Sequence, residues 1–442
     1  MASRPTDRPL GAFAIVVLRA FFRSVEVRGR ERIPTDRPVL VVANHFYGFV
    51  DPIVLVGALR RMPRFLAKAT LWKNVIVGLI LNALGVLKVH RSVDGEGTAG
   101  NVKTFDACHR ALRKRGVVAL FPEGTTHDDP RLHPLRTGAA RIALGARADG
   151  ARGVVVVPIG LVYDDKVALR SRVLAQVGEP IDLDLTIADI VDPGCAEDDT
   201  NHAAVDRLTD MITDHLQAVV PDFDDWREEA ACNRAAAVAT RDELTRRGAP
   251  TPLGRRSELA GRLARDTPDV RQRVVDALAN YELDLDVIQV RDEHLQPMMR
   301  RRTMWWRALV ATVVVALLTP FLLAGVLANI VPFLITKSAG RAVKEPVTKG
   351  TVRVLVAIVV FPISWLVYAL ITDFDQGWGA TLLAFVLAPL FGFAVVLVAE
   401  EITRVWDTWR AVGALRDRRA LLTQVLEDRA AVVDAVRAAT AR

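Results

Sequence analysis

The run ANHFYGFVDP, residues 43–52, follows the aliphatic VLVV and places a histidine six positions before an aspartate. A neutral imidazole, with a reference pKa of about 6.5, can take a proton near neutral pH. A carboxylate on its other ring nitrogen fixes the tautomer and stabilises the imidazolium that forms. His45 and Asp51 therefore suit a general base and its orienting partner, acting on a substrate hydroxyl that is itself the nucleophile. No serine sits in a GxSxG elbow to offer another nucleophile. The plainer reading makes Asn44 and Asp51 turn and N-cap residues and His45 a satisfied polar side chain. Alone, the pair favours that plainer reading.

Three further stretches change the weighing: KATLWKNVIVGLILNALGVLKVHR (Lys68 to Arg91), LFPEGTTHDDPRLHPLRTGAARIALGA (Leu120 to Ala146) and VVPIGL (Val156 to Leu161). Pro-Glu-Gly at 122–124 is by itself an ordinary turn, with proline presetting φ and glycine accommodating the bend. Backbone N–H groups at such a turn can also cradle an anion, which arginine reinforces. His127 and His133 invite a metal reading with His45, but their spacing matches no standard zinc pattern. As loop histidines they are expected to be solvated, and no metal site is expected.

In this order the four stretches resemble the motifs of the glycerol-phosphate and lysophospholipid acyltransferase family, over residues 30–185. The second block carries the usual Lys, Leu, Gly, Gly and Arg at Lys68, Leu71, Gly78, Gly85 and Arg91, with Val75 where a proline is common. The family pattern has four residues between His and Asp, whereas His45 and Asp51 enclose five. That gap, the Asp-Pro after it and the SHD-like run Thr126-His127-Asp128 are similar to one branch. The branch holds fungal-type glycerol-3-phosphate/dihydroxyacetone-phosphate acyltransferases and bacterial proteins with C-terminal membrane helices.

The resemblance implies an O-acyltransferase that uses acyl-CoA or acyl carrier protein as donor and holds no bound cofactor. The acceptor is glycerol-3-phosphate at its sn-1 hydroxyl or, as the near alternative, lysophosphatidate at sn-2. It implies His45 and Asp51 as the catalytic pair. Arg91, Gly124 and Thr125 would hold the phosphate, and Glu123 would bind a hydroxyl or position Arg91. Lys68 and Arg136 are weaker phosphate ligands, with exposed basic residues as their plain alternative. Pro158 and Gly160 would shape the acyl-donor channel, or simply pack. The rivals are a metal-dependent phosphohydrolase built on His45, Asp51, Glu123 and His127, and a non-catalytic lipid-binding protein.

The elements that must position these residues read as an α/β domain. Val39–Ala43, Gly85–Val89, Val117–Phe121, Val154–Leu161 and Val173–Val177 read as strands of a mostly buried, mixed sheet. Helices are expected at Asp51–Arg60, Leu71–Leu84, Thr98–Arg115 and Thr137–Ala148, and a closing loop at Asp182–Thr200. His45 then ends a strand and Asp51 begins a helix, with Gly48 easing the turn between them. The 13 residues Leu10–Phe22 reach about 20 Å as a helix, short of a bilayer core of about 30 Å. They read as an interfacial or packed helix, and no cleavable signal pattern accompanies them.

The 442 residues divide as 1–30 (lead-in helix), 31–221 (α/β domain), 222–303 (charged helical connector), 304–400 (membrane region) and 401–442 (amphipathic surface helix). Uncharged gaps of 29, 19 and 24 residues follow Arg307, Arg353 and Asp375. The second and third suit spanning helices; the first, with Pro320 and Pro332, suits either a kinked span or a re-entrant hairpin. Arg300–Arg302 and Arg307 precede the first gap, while Lys337, Arg341, Lys344 and Lys349 follow it. A re-entrant first block would leave the catalytic domain and the C-terminus cytoplasmic, with the loop near Asp373 outside. The net charge of +7 suits anionic partners at a lipid bilayer. No nucleic-acid motif accompanies the charge. Cys108, Cys195 and Cys232 show no paired spacing, which fits a reducing compartment.

Overall fold

Strands rich in Val, Leu and Ala tolerate burial on both faces, and in the computed structural model they form the middle of one eight-stranded sheet. The structure describes residues 7–90, 101–165, 170–245, 252–292, 295, 301–343, 346–372, 377–415 and 419–440. The chain forms two units, Met1–Trp226 and Arg227–Arg442. In chain order the strands are β1 (Ser24–Arg28), β2 (Val39–Ala43), β3 (Arg64–Lys68), β4 (Leu87–Val89), β5 (Val117–Leu120), β6 (Val155–Tyr163), β7 (Arg172–Val177) and β8 (Ile181–Asp182). Across the sheet they run β1-β7-β6-β2-β5-β3-β4, with β8 also on β6. β7 and β8 run antiparallel to β6, and the other described pairings are parallel. The expected mixed, buried sheet is therefore present.

The helices of this unit are α1 (Asp7–Phe21), α2 (Val50–Leu59), α3 (Val75–Leu84), α4 (Asn101–Arg113), α5 (Gly138–Ala148), α6 (Leu183–Ile190) and α7 (His202–Gln217). Leu40 and Val42 of β2 join Leu112 of α4, Ile142 and Leu144 of α5 and Leu208 of α7 in one core. Val39, Val41 and Ala43 alternate to the other face and are equally buried. α1 rests on α2: a Cβ at Gly57 would lie 2.6 Å from Leu18 Cδ1. Its outer side leaves Phe13 53% and Val16 65% exposed, so the helix is both packed and apolar outward.

Three corrections concern this unit. β1 and β3 escape sequence reading because SVEVR and RFLAK are short and charged. Asp182–Thr200 is not loop throughout: Asp182 caps α6 by accepting from the Asp184 N–H at 3.2 Å. Gly48 is not among the residues at positive φ, so the turn after His45 makes no demand that only glycine meets.

In the second unit the first uncharged block is one continuous helix, Arg301–Ala342, with both prolines inside it. The re-entrant hairpin is thereby overturned. Three helices, within Val315–Ala342, Lys349–Ile371 and Trp378–Thr403, are long and apolar enough to cross a membrane. Arg429 of the last helix donates to Asp292 and to Asp242, both of which precede the apolar helices, at 3.0 Å each, so the two flanks of the apolar block pack against each other. Asp373 and Asp375 lie outside the described residues. The third helix, Trp378–Leu415, runs through the boundary drawn at residue 400. The last helix, Arg419–Thr440, is not a free surface helix: Val425, Val432, Val433 and Val436 are buried.

Small and polar residues join the three apolar helices, as expected where lipid gives helices no hydrophobic reason to associate. Asn329 accepts from Trp365 Nε1 at 2.8 Å and donates to the Ala388 carbonyl at 3.0 Å. Gly325 lets the Phe391 carbonyl approach, because a Cβ there would lie 2.6 Å from that oxygen.

Two stability predictions follow. A Cβ at Gly160 in β6 would overlap the carbonyl oxygen of Val219 and lie 2.8 Å from its carbon. Gly160→Ala is expected to cost about 1–3 kcal/mol, seen as a Tm fall of roughly 2–4 °C per kcal/mol; an unchanged Tm contradicts this packing. Asn329→Leu is expected to lower the unfolding free energy in mixed micelles by about 0.6–2 kcal/mol, with no loss if Asn329 faces lipid.

Candidate active site

The sheet register decides which residues meet. β2 and β5 are parallel neighbours with Val42 opposite Leu120, so the chain leaves both strands at the same edge. His45 lies two residues beyond β2 and Glu123 three beyond β5. This is the carboxyl edge where α/β sheets commonly build sites. β6 lies along the other side of β2, with Ala43 opposite Ile159, and continues to Tyr163.

Beyond the ladder, side chains hold the β2 end in place. Asn44 clamps Leu161 through both backbone groups, accepting its N–H at 2.7 Å and donating to its carbonyl at 3.0 Å. The His45 N–H donates to Glu123 Oε2 at 2.7 Å. The imidazole stacks on Phe121 with ring centroids 4.0 Å apart. The chain then turns into α2, where Asp51 stands in the first turn. The positive end of a helix dipole favours a carboxylate there.

Asp51 is fully buried, and three hydrogen bonds serve its carboxylate. Oδ2 accepts from His45 Nδ1 at 2.9 Å and from the Tyr47 N–H at 2.7 Å. Oδ1 accepts from the Tyr163 hydroxyl at 2.5 Å. An ionised carboxylate only accepts, so Nδ1 carries the proton and Nε2 presents a lone pair. That nitrogen has no hydrogen-bond partner among the described residues, and the side chain keeps 15% exposure. A base is thus oriented, stacked and left reachable. Burial, followed by the charge of Asp51, raises the Tyr163 phenol well above its usual range, so it remains a donor.

Glu123 differs from its expected part. Its carboxylate is buried and already engaged: besides the His45 N–H, Oε1 accepts from His127 Nε2 at 2.8 Å and from the His133 N–H at 3.2 Å. It supports the site from behind. Gly124 adopts φ +73°, and a Cβ there would lie 2.6 Å from Arg136 Nε, so the Arg136 side chain passes directly over the turn. Thr125 is exposed beside it. Lys68 is exposed at the end of β3, and Arg91 lies outside the described residues. Pro158 and Gly160 are buried in β6, with Gly160 against Val219 and the Pro158 ring against Gly178.

The expectation of solvated loop histidines fails for His127, which is buried. His127, Asp129 and His133 hold ligand atoms within 4.8 Å of one another. However, the two rings are parallel within 3° and stacked with centroids 3.6 Å apart. Lone pairs lying in parallel planes cannot converge on one ion at about 2.0–2.1 Å, so the stack does not fit a chelate. The described cysteines offer no nucleophile at this site either: burial pushes Cys108 up to about 12, and Cys195 is exposed elsewhere. Tyr163 escaped the sequence reading, although strand alternation from Ile159 through Leu161 to Tyr163 carries a signal for it.

Comparison with known proteins agrees with this geometry. Residues 24–162 match the family described as Acyltransferase. Glycerol-3-phosphate O-acyltransferase 2 of Saccharomyces cerevisiae is 35% identical over 156 residues, covering 34% of this chain and 19% of that protein. Glycerol-3-phosphate O-acyltransferase 1 of the same yeast is 24% identical, covering 48% of this chain and 38% of that one. The chloroplastic 1-acyl-sn-glycerol-3-phosphate acyltransferase BAT2 of Brassica napus is 30% identical, covering 33% of this chain and 39% of that one. The chain therefore spans less than half the length of these curated relatives. The crystal structure of the 1-acyl-sn-glycerophosphate (LPA) acyltransferase PlsC from Thermotoga maritima is 20% identical and covers 48% of this chain and 77% of that one. Its TM-score of 0.35 is too low to carry an argument about fold. The matched residues contain the His45–Asp51 pair and the Glu123 turn, so the likeness to the acyltransferase family falls on the part of the α/β domain that builds this site.

Proposed function

We propose that this protein is a membrane-bound O-acyltransferase that moves a fatty acyl group from a thioester donor, acyl-CoA or acyl carrier protein, to glycerol-3-phosphate at sn-1. The observation that carries the reading is His45, whose Nδ1 is held by buried Asp51 while Nε2 is left reachable. The acceptor hydroxyl oxygen attacks the thioester carbonyl while Nε2 takes the hydroxyl proton. The tetrahedral intermediate collapses, the C–S bond breaks, and the imidazolium returns its proton to the departing thiolate. Asp51 stabilises the imidazolium in both steps. Arg136, Thr125 and the Gly124 backbone are the described groups offered to the acceptor phosphate, with Arg91 and Lys68 as further candidates. The apolar helices tether the reaction to the bilayer, where a lipid product remains, with the catalytic domain on the cytoplasmic side.

A second reading, transfer to the sn-2 hydroxyl of lysophosphatidate, has support from the similarity to the Brassica protein. The similarity to two yeast glycerol-3-phosphate acyltransferases favours the first.

Purified full chain in nanodiscs, given palmitoyl-CoA, is expected to release thiol and acylate glycerol-3-phosphate in preference to lysophosphatidate, without added metal. The opposite preference supports the second reading, and acylation of neither acceptor overturns both. His45→Ala is expected to lower kcat by about 10²–10⁴-fold; retained activity removes the general-base mechanism. Tyr163→Phe deletes one hydrogen bond to a buried carboxylate, commonly about 1.5–3 kcal/mol, and is expected to lower kcat about tenfold or more. An effect on Tm alone would make Tyr163 a packing residue only.

A further inference from the structure

The run Thr126-His127-Asp128 has no part in the proton transfers, yet the His127 side chain is buried beside the site. Its Nε2 faces the Glu123 carboxylate at 2.8 Å and must therefore carry the hydrogen. Its Nδ1 then accepts from the Asp129 backbone N–H at 3.3 Å, which fixes the tautomer. One face of the ring stacks on His133, whose own Nε2 meets Asp129 Oδ2 at 2.6 Å. The Phe46 ring meets His127 edge-on, with centroids 5.7 Å apart.

These contacts lead back to the catalytic histidine. The β2 ladder ends at Ala43, so no strand partner holds the peptide of His45. Glu123 Oε2 holds it instead, and Phe46 is the next residue along. We infer that His127 is a positioning residue: by fixing the Glu123 carboxylate that holds the His45 N–H, it sets where the His45 imidazole points. Without His127, Glu123 Oε1 would keep only the His133 N–H at 3.2 Å. A buried carboxylate left short of donors rotates or draws in water. Either response loosens the His45 N–H bond. The two departures in this chain's motifs, the five-residue gap and the Thr-His-Asp run, thus touch through Phe46 and His127.

This inference rests on the acyltransferase reading, and two measurements separate them. In the first, His127→Phe keeps a ring and loses the donor, whereas His127→Gln keeps a donor at the equivalent atom and loses the ring. With full chain in nanodiscs, His127→Phe is expected to lower kcat about tenfold, with both KM values within about twofold. His127→Gln is expected to recover most of that loss. Wild-type kcat in His127→Phe, equal loss in both variants, or a change confined to KM each overturns the inference. In the second, hydrogen exchange read by mass spectrometry follows the peptide spanning residues 43–52. Its protection is expected to fall in His127→Phe and return in His127→Gln, and unchanged protection overturns the inference whether or not the chain shows activity. A wild type that acylates neither acceptor fails the functional reading instead, and the exchange result still decides whether His127 holds this segment.

Discussion

Two carboxylates shielded from solvent, Asp51 and Glu123, flank one histidine, and satisfying them organises the active edge of the domain. A buried carboxylate is costly unless donors surround it. Asp51 draws the His45 ring, the Tyr47 backbone and the Tyr163 hydroxyl to itself. Glu123 draws the His45 backbone, the His127 ring and the His133 backbone. One carboxylate thus holds the side chain of His45 and the other its main chain. Neither could do so unless β2 and β5 ran parallel in a register that ends both at one edge.

The same logic explains why residues with no apparent chemistry matter. Asn44 replaces a missing ladder by pairing with both backbone groups of Leu161, which ties the strand end to β6. β6 then carries Tyr163 to Asp51. Gly160, midway along β6, leaves room for the Val219 carbonyl, so the strand can pack closely while its neighbours reach the site. In the second unit, Asn329 does comparable work among apolar helices by joining Trp365 and the Ala388 carbonyl.

Much of this was legible in the sequence. The aliphatic runs at 39–43, 117–120 and 155–161 stand out because a strand buried on both faces has little polar alternation. β1 and β3 were not legible, since five mixed residues at or near a sheet edge carry no distinctive period. The long uncharged blocks announced helices long and apolar enough to cross a membrane, but hydropathy cannot tell a kinked span from a hairpin. The helix continues through both Pro320 and Pro332, and Ser364 of the next helix donates to the Ala328 carbonyl that Pro332 leaves without its usual donor.

The sequence by itself determined that His45 and Asp51 would pair, where the Pro-Glu-Gly turn falls and which family residues 24–162 resemble, because residue type and spacing along one chain carry that information. Only the tertiary structure decided what Glu123, His127 and Tyr163 do. Glu123 faces inward to the His45 backbone, His127 stands behind it, and Tyr163 meets Asp51 from 112 residues away. Those roles depend on which strand ends lie side by side. Strand order is set by packing across the whole sheet, and no local spacing encodes it.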